Sequence, residues 1–458
     1  MTSRTPNHQL KALIDESGLP YDGVARAVRA VATESGQRLA TNKSAVHHWT
    51  LGAVPTGPTP QYLAEVFSRR LGRRITLEDL GLPSPAAGED DSIGLTLDVD
   101  PLEALTTIGR ADVNRRRFLT ASAYSMAAAV LPLQSVQEAA ARTRAAATGA
   151  VAGHADVAAV REMVRLFMEM DERHGGQHGR SAFVQYLVTD VAELCRSRFA
   201  SDAIRAEALS VAAAGAHLAG WKAYDSGEQG LAQRYYLQSL ALARASGIPG
   251  QDGFVMRTMS QQGMKLHRPE HCLALAETGW AKAKGKVDPR TEALFAITHA
   301  HALAKTGQRQ AAFADVDRAH AALATGEDAD VPFWALAWGP PAATVHSRTA
   351  KVFETLGDRP NAAKEYATAA ASRPGATYAR IIALDLVAQA EQQARQGGIE
   401  QACATWHRAI ETMDGVRSAR TRKAVRSMRA DLRPYRARGL RCAAELDERA
   451  RLFLTQAR

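Results

Sequence analysis

The chain carries only four cysteines in 458 residues: Cys195, Cys272, Cys403 and Cys442. They stand far apart and form no metal-spaced pair. That pattern fits buried free thiols in a reducing compartment, not a disulfide framework or a cysteine zinc site. Aromatic residues make up 6% and β-branched runs are scarce, which argues against a sheet-rich fold. No apolar run reaches the roughly 20 residues that a membrane-crossing helix needs. Enzyme signatures are missing as well. Gly247-Ile248-Pro249-Gly250 and Gly397-Gly398 lack the lysine context of a phosphate loop. His267 and His271 are four apart but span Pro269 at a turn, a poor arrangement for zinc. His299 and His301 project from different sides of a helix. No serine or cysteine has a nucleophile signature. The expectation is a protein that is not an enzyme, with no cofactor, no metal and no membrane association.

What remains is rich in alanine, a composition that favours helix. The length suffices for two or three domains with sizeable cores. The formal charge is +9, so polyanionic partners are plausible on charge alone. The charge is uneven. Residues 81–114 hold seven acids against Arg110, whereas residues 415–442 hold ten bases against Asp431.

The most informative stretch is 42–55. Asn42 is placed to cap a short helix, Gly52 to end it in the left-handed conformation, and Pro55 follows. Ala45, Val46 and Trp49 share an apolar stripe. Lys43, Ser44, His47 and His48 occupy the opposite face, whose donors and acceptors suit the major groove of DNA. Leu10 and Leu13 begin an earlier helix that ends at Ser17-Gly18-Leu19-Pro20. Val24, Val28 and Val31 predict a helix from Tyr21 to Leu39. After the Val54–Pro60 loop, Leu63, Val66 and Phe67 predict a closing helix from Gln61 to Leu71. Together these elements make a helix-turn-helix layout.

Residues 8–82 resemble the phage-repressor-like (Xre/Cro) helix-turn-helix, on Ser44, Val46, Trp49, Gly52 and Pro55, helix 61–67 and the ending Ile75–Gly81. Ala30–Ala40 departs from the family by its extra length. The resemblance implies base contacts from Lys43, Ser44 and His48, with Asn42 near a phosphate of double-stranded DNA. Arg69, Arg70, Arg73 and Arg74 are expected to meet phosphates, if anything.

The rest of the chain repeats. Gly227, Gly307, Gly357 and Gly397 each sit at a predicted helix end. Each is followed five residues later by an alanine: Ala232, Ala312, Ala362 and Ala402. Beyond these come Tyr236 and Ser239, Val316 and Ala319, Tyr366 and Ala369, Trp406 and Ala409. A weaker copy runs through His267, Cys272, Ala276 and Gly279. The period of about 40 marks a helical solenoid whose small residues let paired helices approach closely. Gly220, Ala232, Tyr236 and Ser239 resemble the packing positions of the tetratricopeptide repeat (TPR), as do Ala350, Phe353, Ala362, Tyr366, Ala369 and Pro374. Asp156–Arg198 is expected to supply earlier helices of the same array. The basic run Arg417, Arg420, Arg422, Lys423, Arg426, Arg429, Arg433 and Arg436 reads first as a solvated capping helix.

Three segments are expected: 1–82 for DNA binding, 83–150 as a linker with an apolar helix, and 151–458 as the TPR-like array. In the linker, Arg115-Arg116-Arg117-Phe118-Leu119 and the apolar run to Pro132 look like a twin-arginine export signal. Their internal position favours a buried or self-associating helix. The fold expected is all-α: a helix-turn-helix domain, a linker and an α-solenoid. The whole chain resembles actinobacterial Xre-type regulators with TPR repeats, similar to streptomycete negative regulators of differentiation. That resemblance implies a cytoplasmic homodimer acting on development or secondary metabolism. Its solenoid groove would take a peptide or protein ligand. The rival readings are a TPR scaffold without specific DNA binding, and an exported or tethered repeat protein.

Overall fold

A computed structural model of the chain describes residues 5–34, 37–71, 73, 75–82, 94–95, 99–113, 151–265, 269–326 and 330–456. The RRRFL segment with its apolar run, the Pro/acid stretch 83–93, Arg74 and His267 lie outside the described residues. The described chain is all-α, apart from a two-residue parallel pairing of Val151–Ala152 with Arg198–Phe199. None of its helices is long and apolar enough to cross a membrane.

The N-terminal unit holds α1 (His8–Ser17), α2 (Tyr21–Glu34), α3 (Lys43–Thr50) and α4 (Thr59–Leu71). Asn7 ties its ends together. Its side chain caps α1 by accepting from Leu10 N and donates to Leu80 O, while its N–H donates to Thr50 O. Leu10, Val24, Val28, Val46, Tyr62, Leu63 and Phe67 form a core of their own. The expected helix to Leu39 stops at Glu34. Gln37 N–H donates to Ala32 O, a six-to-one bond that closes a helix C-terminus. Residues 30–34 thus remain helical and 37–40 are connection, with Leu39 packed against the core and the Arg29 guanidinium donating to Thr41 O.

The body begins with α5 (Pro101–Val113) and α6 (His154–His174). Next comes a helix interrupted by one π-turn at Leu187–Val191, which divides it into α7 (Arg180–Tyr186) and α8 (Ala192–Arg196). Within the stretch expected as linker, α5 packs into the body. Leu102, Leu105 and Ile108 belong to its main core, and Asp112 accepts from buried Arg180 and from Tyr235.

Paired helices follow: α9 (Asp202–Asp225) with α10 (Gln229–Ser246), α11 (Gln251–Lys265) with α12 (Pro269–Ala283), and α13 (Pro289–Lys305) with α14 (Arg309–Thr325). The array continues as α15 (Pro341–Thr355) with α16 (Arg359–Ala371), α17 (Ala379–Arg395) with α18 (Ile399–Thr412), and α19 (Ala419–Ala437) with α20 (Arg441–Gln456). The repeated glycines act as the period predicts. Gly227, Gly307, Gly357 and Gly397 have φ of 88, 81, 85 and 92°. The following N–H reaches back five residues each time: Glu228 to Ala223, Gln308 to Leu303, Asp358 to Phe353 and Gly398 to Gln393, at 2.9–3.0 Å. This is the Schellman cap, which only glycine adopts without a side-chain penalty. It turns the chain tightly enough to lay the next helix back on the last. Ala232, Ala312, Ala362 and Ala402 are then fully buried where the two helices cross. Gly439 (φ 79°) and the Leu440 N–H to Tyr435 O bond make a further copy, which the sequence pattern did not reveal.

The array curls back on its own beginning. Arg380, at the start of α17, donates to Asp171 Oδ2 at 2.7 Å and pairs with Glu172 and Asp225. Lys222 pairs with Asp171 at 3.2 Å. Ser418 Oγ donates to Asp225 Oδ1 at 2.8 Å, and Arg417 N–H donates to His174 O at 2.7 Å. Arg380, Lys222 and Asp225 have no exposed surface. Burial of this kind is tolerable only because opposite charges meet within the cluster.

Candidate nucleic-acid interface

In α3 the side chains divide as the sequence pattern requires. Val46, Trp49 and Thr50 are buried, and Ala45 is partly so. Asn42, Lys43, Ser44, His47 and His48 are exposed. Asn42 Oδ1 accepts from Ala45 N at 2.9 Å, so this residue serves as the helix cap. The His47 ring lies 5.8 Å from Tyr21 and 6.3 Å from His48, centroid to centroid. The residues 43–50 include no carboxylate. The helix thus offers one ammonium, one hydroxyl, two imidazoles and an N-terminus of positive sign, all on one side. Trp49 and Val46 hold the opposite side against α1 and α2, which fixes the presentation of the polar face.

Arg69, Arg70 and Arg73, on and just after α4, pair within the unit. Arg69 is nearly buried between Glu34 and Glu65, each at 2.7 Å, and these pairings hold its pKa above the ordinary guanidinium value despite burial. Arg70 Nε donates to Ser17 O at 2.8 Å, and Arg73 meets Glu16 at 2.8 Å. Arg69 thus ties α4 to α2 inside the unit, whereas Arg70 and Arg73, both exposed, fasten the end of α4 and the residues after it to α1. Folding brings the acids of distant helices within their reach.

Residues 10–83 match the family model described as the SP15 N-terminal domain. No curated protein matches the chain. The matched residues run from Leu10 in α1 to just past Leu82, so they take in the helical unit that presents α3.

A second place of interest lies inside the array. Trp221, Tyr224, Tyr236, Thr258, Gln261, Gln262 and Arg348 line a niche with room for roughly one water molecule. Burial pushes the Arg348 pKa down to about 10 and raises that of Tyr224. The Arg420 guanidinium stands over the rings of Trp221 and Tyr224 at 5.3 and 5.4 Å. The residues come from several repeats and from the basic helix α19, a gathering that no local motif announces. Arg420 and Arg422 are half-buried in the closure of the array, whereas Lys423, Arg426, Arg433 and Arg436 are exposed, as a capping helix requires.

Proposed function

We propose that this chain is a sequence-specific DNA-binding transcriptional regulator of the Xre/Cro type, with α3 as the reading helix and a TPR-like array as the partner-sensing body. The observation that carries the reading is the two-sided division of α3. Its buried Val46 and Trp49 anchor it, and its exposed Lys43, Ser44, His47 and His48 offer base-edge chemistry beside a capping Asn42. Lysine donates to guanine O6 and N7, while hydroxyl and imidazole groups donate or accept at base edges. The net charge of +9 agrees with a polyanionic partner.

The resemblance to actinobacterial regulators extends the proposal to a cytoplasmic homodimer that controls development or secondary metabolism. A peptide or protein would be the effector of the array. The inner niche is small, so such an effector would take the open helix faces or widen the niche on binding. Selecting genomic fragments bound by the full chain, followed by gel shifts against random competitor DNA, tests the reading. Enrichment of a shared motif supports it. Retention of all sequences alike, abolished by moderate salt, favours a scaffold whose N-terminal helices do not read DNA.

A further inference from the structure

Three consecutive helices bring together a group of side chains that the DNA reading does not use. His320 stands on α14, His346 on α15 and Glu365 on α16. The two imidazole rings are 5.1 Å apart, centroid to centroid. His346 Nδ1 and Glu365 Oε2 hydrogen-bond at 2.7 Å. One donor atom of each side chain lies within 4.8 Å of the other two. All three side chains are partly buried, so they are held in place yet open to solvent.

We propose that His320, His346 and Glu365 form a binding site for a zinc-class divalent ion. Two imidazoles and one carboxylate are a donor set that zinc favours, with water in a fourth position. An all-oxygen set would suit calcium or magnesium instead. Ligands about 2.1 Å from a common tetrahedral ion lie about 3.4 Å apart. The present separations therefore close onto an ion with side-chain shifts of about 1 Å. The orienting contacts are also in place. His320 Nε2 meets Thr349 Oγ1 at 3.0 Å, which leaves Nδ1 as the ring nitrogen for the ion. Metal-bound imidazoles characteristically hold their second nitrogen in such a hydrogen bond. Asp317, exposed one turn before His320, acts on it electrostatically and adds negative charge on that flank.

The place in the fold gives the site a consequence. Gly227 and Gly307 are 80 residues apart with the weaker copy, at His267, midway between them, and Gly357 and Gly397 are 40 apart, but Gly307 and Gly357 are 50 apart. The extra residues fall between the end of α14 at Thr325 and the start of α15 at Pro341. An ion held by α14, α15 and α16 clamps the array across this longer connection. The inference stands independently of the DNA reading.

The test uses the full chain without an affinity tag, freed of metal by a chelator. Zn2+ is titrated by calorimetry, and Co2+ by its visible absorption. The expected result is one saturable site at micromolar ion or below, Co2+ bands of a low-coordinate nitrogen-oxygen site, and a raised melting temperature. His346→Asn and Glu365→Gln should each weaken Zn2+ binding by more than about tenfold. His174→Asn combined with His178→Asn removes another close ring pair, 4.9 Å apart, and should leave binding unchanged. Glu365→Gln is the decisive variant if the histidine change unfolds the chain, because a neutral amide of the same shape keeps the packing. Absence of saturable Zn2+ binding by the parent chain overturns the proposal. So does equal binding by parent and Glu365→Gln, or loss of binding in the His174/His178 variant alone.

Discussion

Tyr236 lies so close to Gly220 that a methyl group on Gly220 would stand 2.6 Å from the ring carbon Cε1. The same added carbon would sit 3.1 Å from Ala232 O. The contact explains why a glycine stands in the middle of α9, where it costs helix stability of about 1 kcal/mol relative to alanine. Gly220→Ala should therefore destabilise the array, by about 1–3 kcal/mol from overpacking. Ala362→Leu should do the same where α15 and α16 cross, since Ala362 is fully buried beside Tyr366. Urea midpoints of the variants against the parent check both; a midpoint rise for either would contradict the packing argument.

Lys43→Ala combined with His48→Ala should weaken binding to selected genomic fragments by about 1–3 kcal/mol per lost base contact, with random DNA less affected. Competition gel shifts on the folded variant measure this. Unchanged affinity and preference would remove α3 as the reader. Arg69→Ala, by contrast, should lower the stability of the N-terminal unit, because it strands Glu34 and Glu65 together.

His217 is buried against Thr258 Oγ1 at 2.9 Å, and burial, with the nearby Arg257, lowers its pKa to about 3. The unfolded imidazole has a pKa near 6.5. The unfolded state thus binds the proton first, so stability is fully present above about pH 6.5 and is lost progressively as pH falls toward 3. His217→Gln should flatten the decline in melting temperature between pH 7 and pH 5. An equally steep decline in the variant would show that other groups govern it.

Arg380→Met should cost about 3–5 kcal/mol, because it leaves Asp171, Glu172 and Asp225 buried together without their shared cation. Thermal unfolding of the full chain checks it. A loss under about 1 kcal/mol would mean that solvent reaches the cluster.

A fragment starting at residue 150 should melt below one starting at residue 94, because it lacks α5 and exposes the ground that Leu105 and Ile108 cover. Equal melting temperatures would mean that α5 contributes nothing to the body.

The repeat was legible because it rests on local chemistry. A positive-φ glycine, an alanine at the crossing and a large residue one turn on recur in order, and each has its partner in the same or the next helix. The polar face of α3 was legible for the same reason. Partnerships across long separations were not. Nothing near Arg380 indicates Asp171, 209 residues away. Nor does the sequence around Arg69 indicate Glu34, so it read as a surface cation. The helix α5 hid behind acids and prolines, although Leu102, Leu105 and Ile108 trace a buried stripe. His320, His346 and Glu365 come from three helices and share no motif.

The closure at Asp171, Asp225 and Arg380 changes how the body can come apart. In an open solenoid each repeat answers only to its neighbours, so end repeats fray first and truncations are tolerated. Here the chain from Arg380 onward is fastened back to α6 and α9. That long-range contact raises the contact order and slows the search for the native state. It also makes the two ends lose their support together, so the body should melt in one cooperative step instead of peeling from its C-terminus.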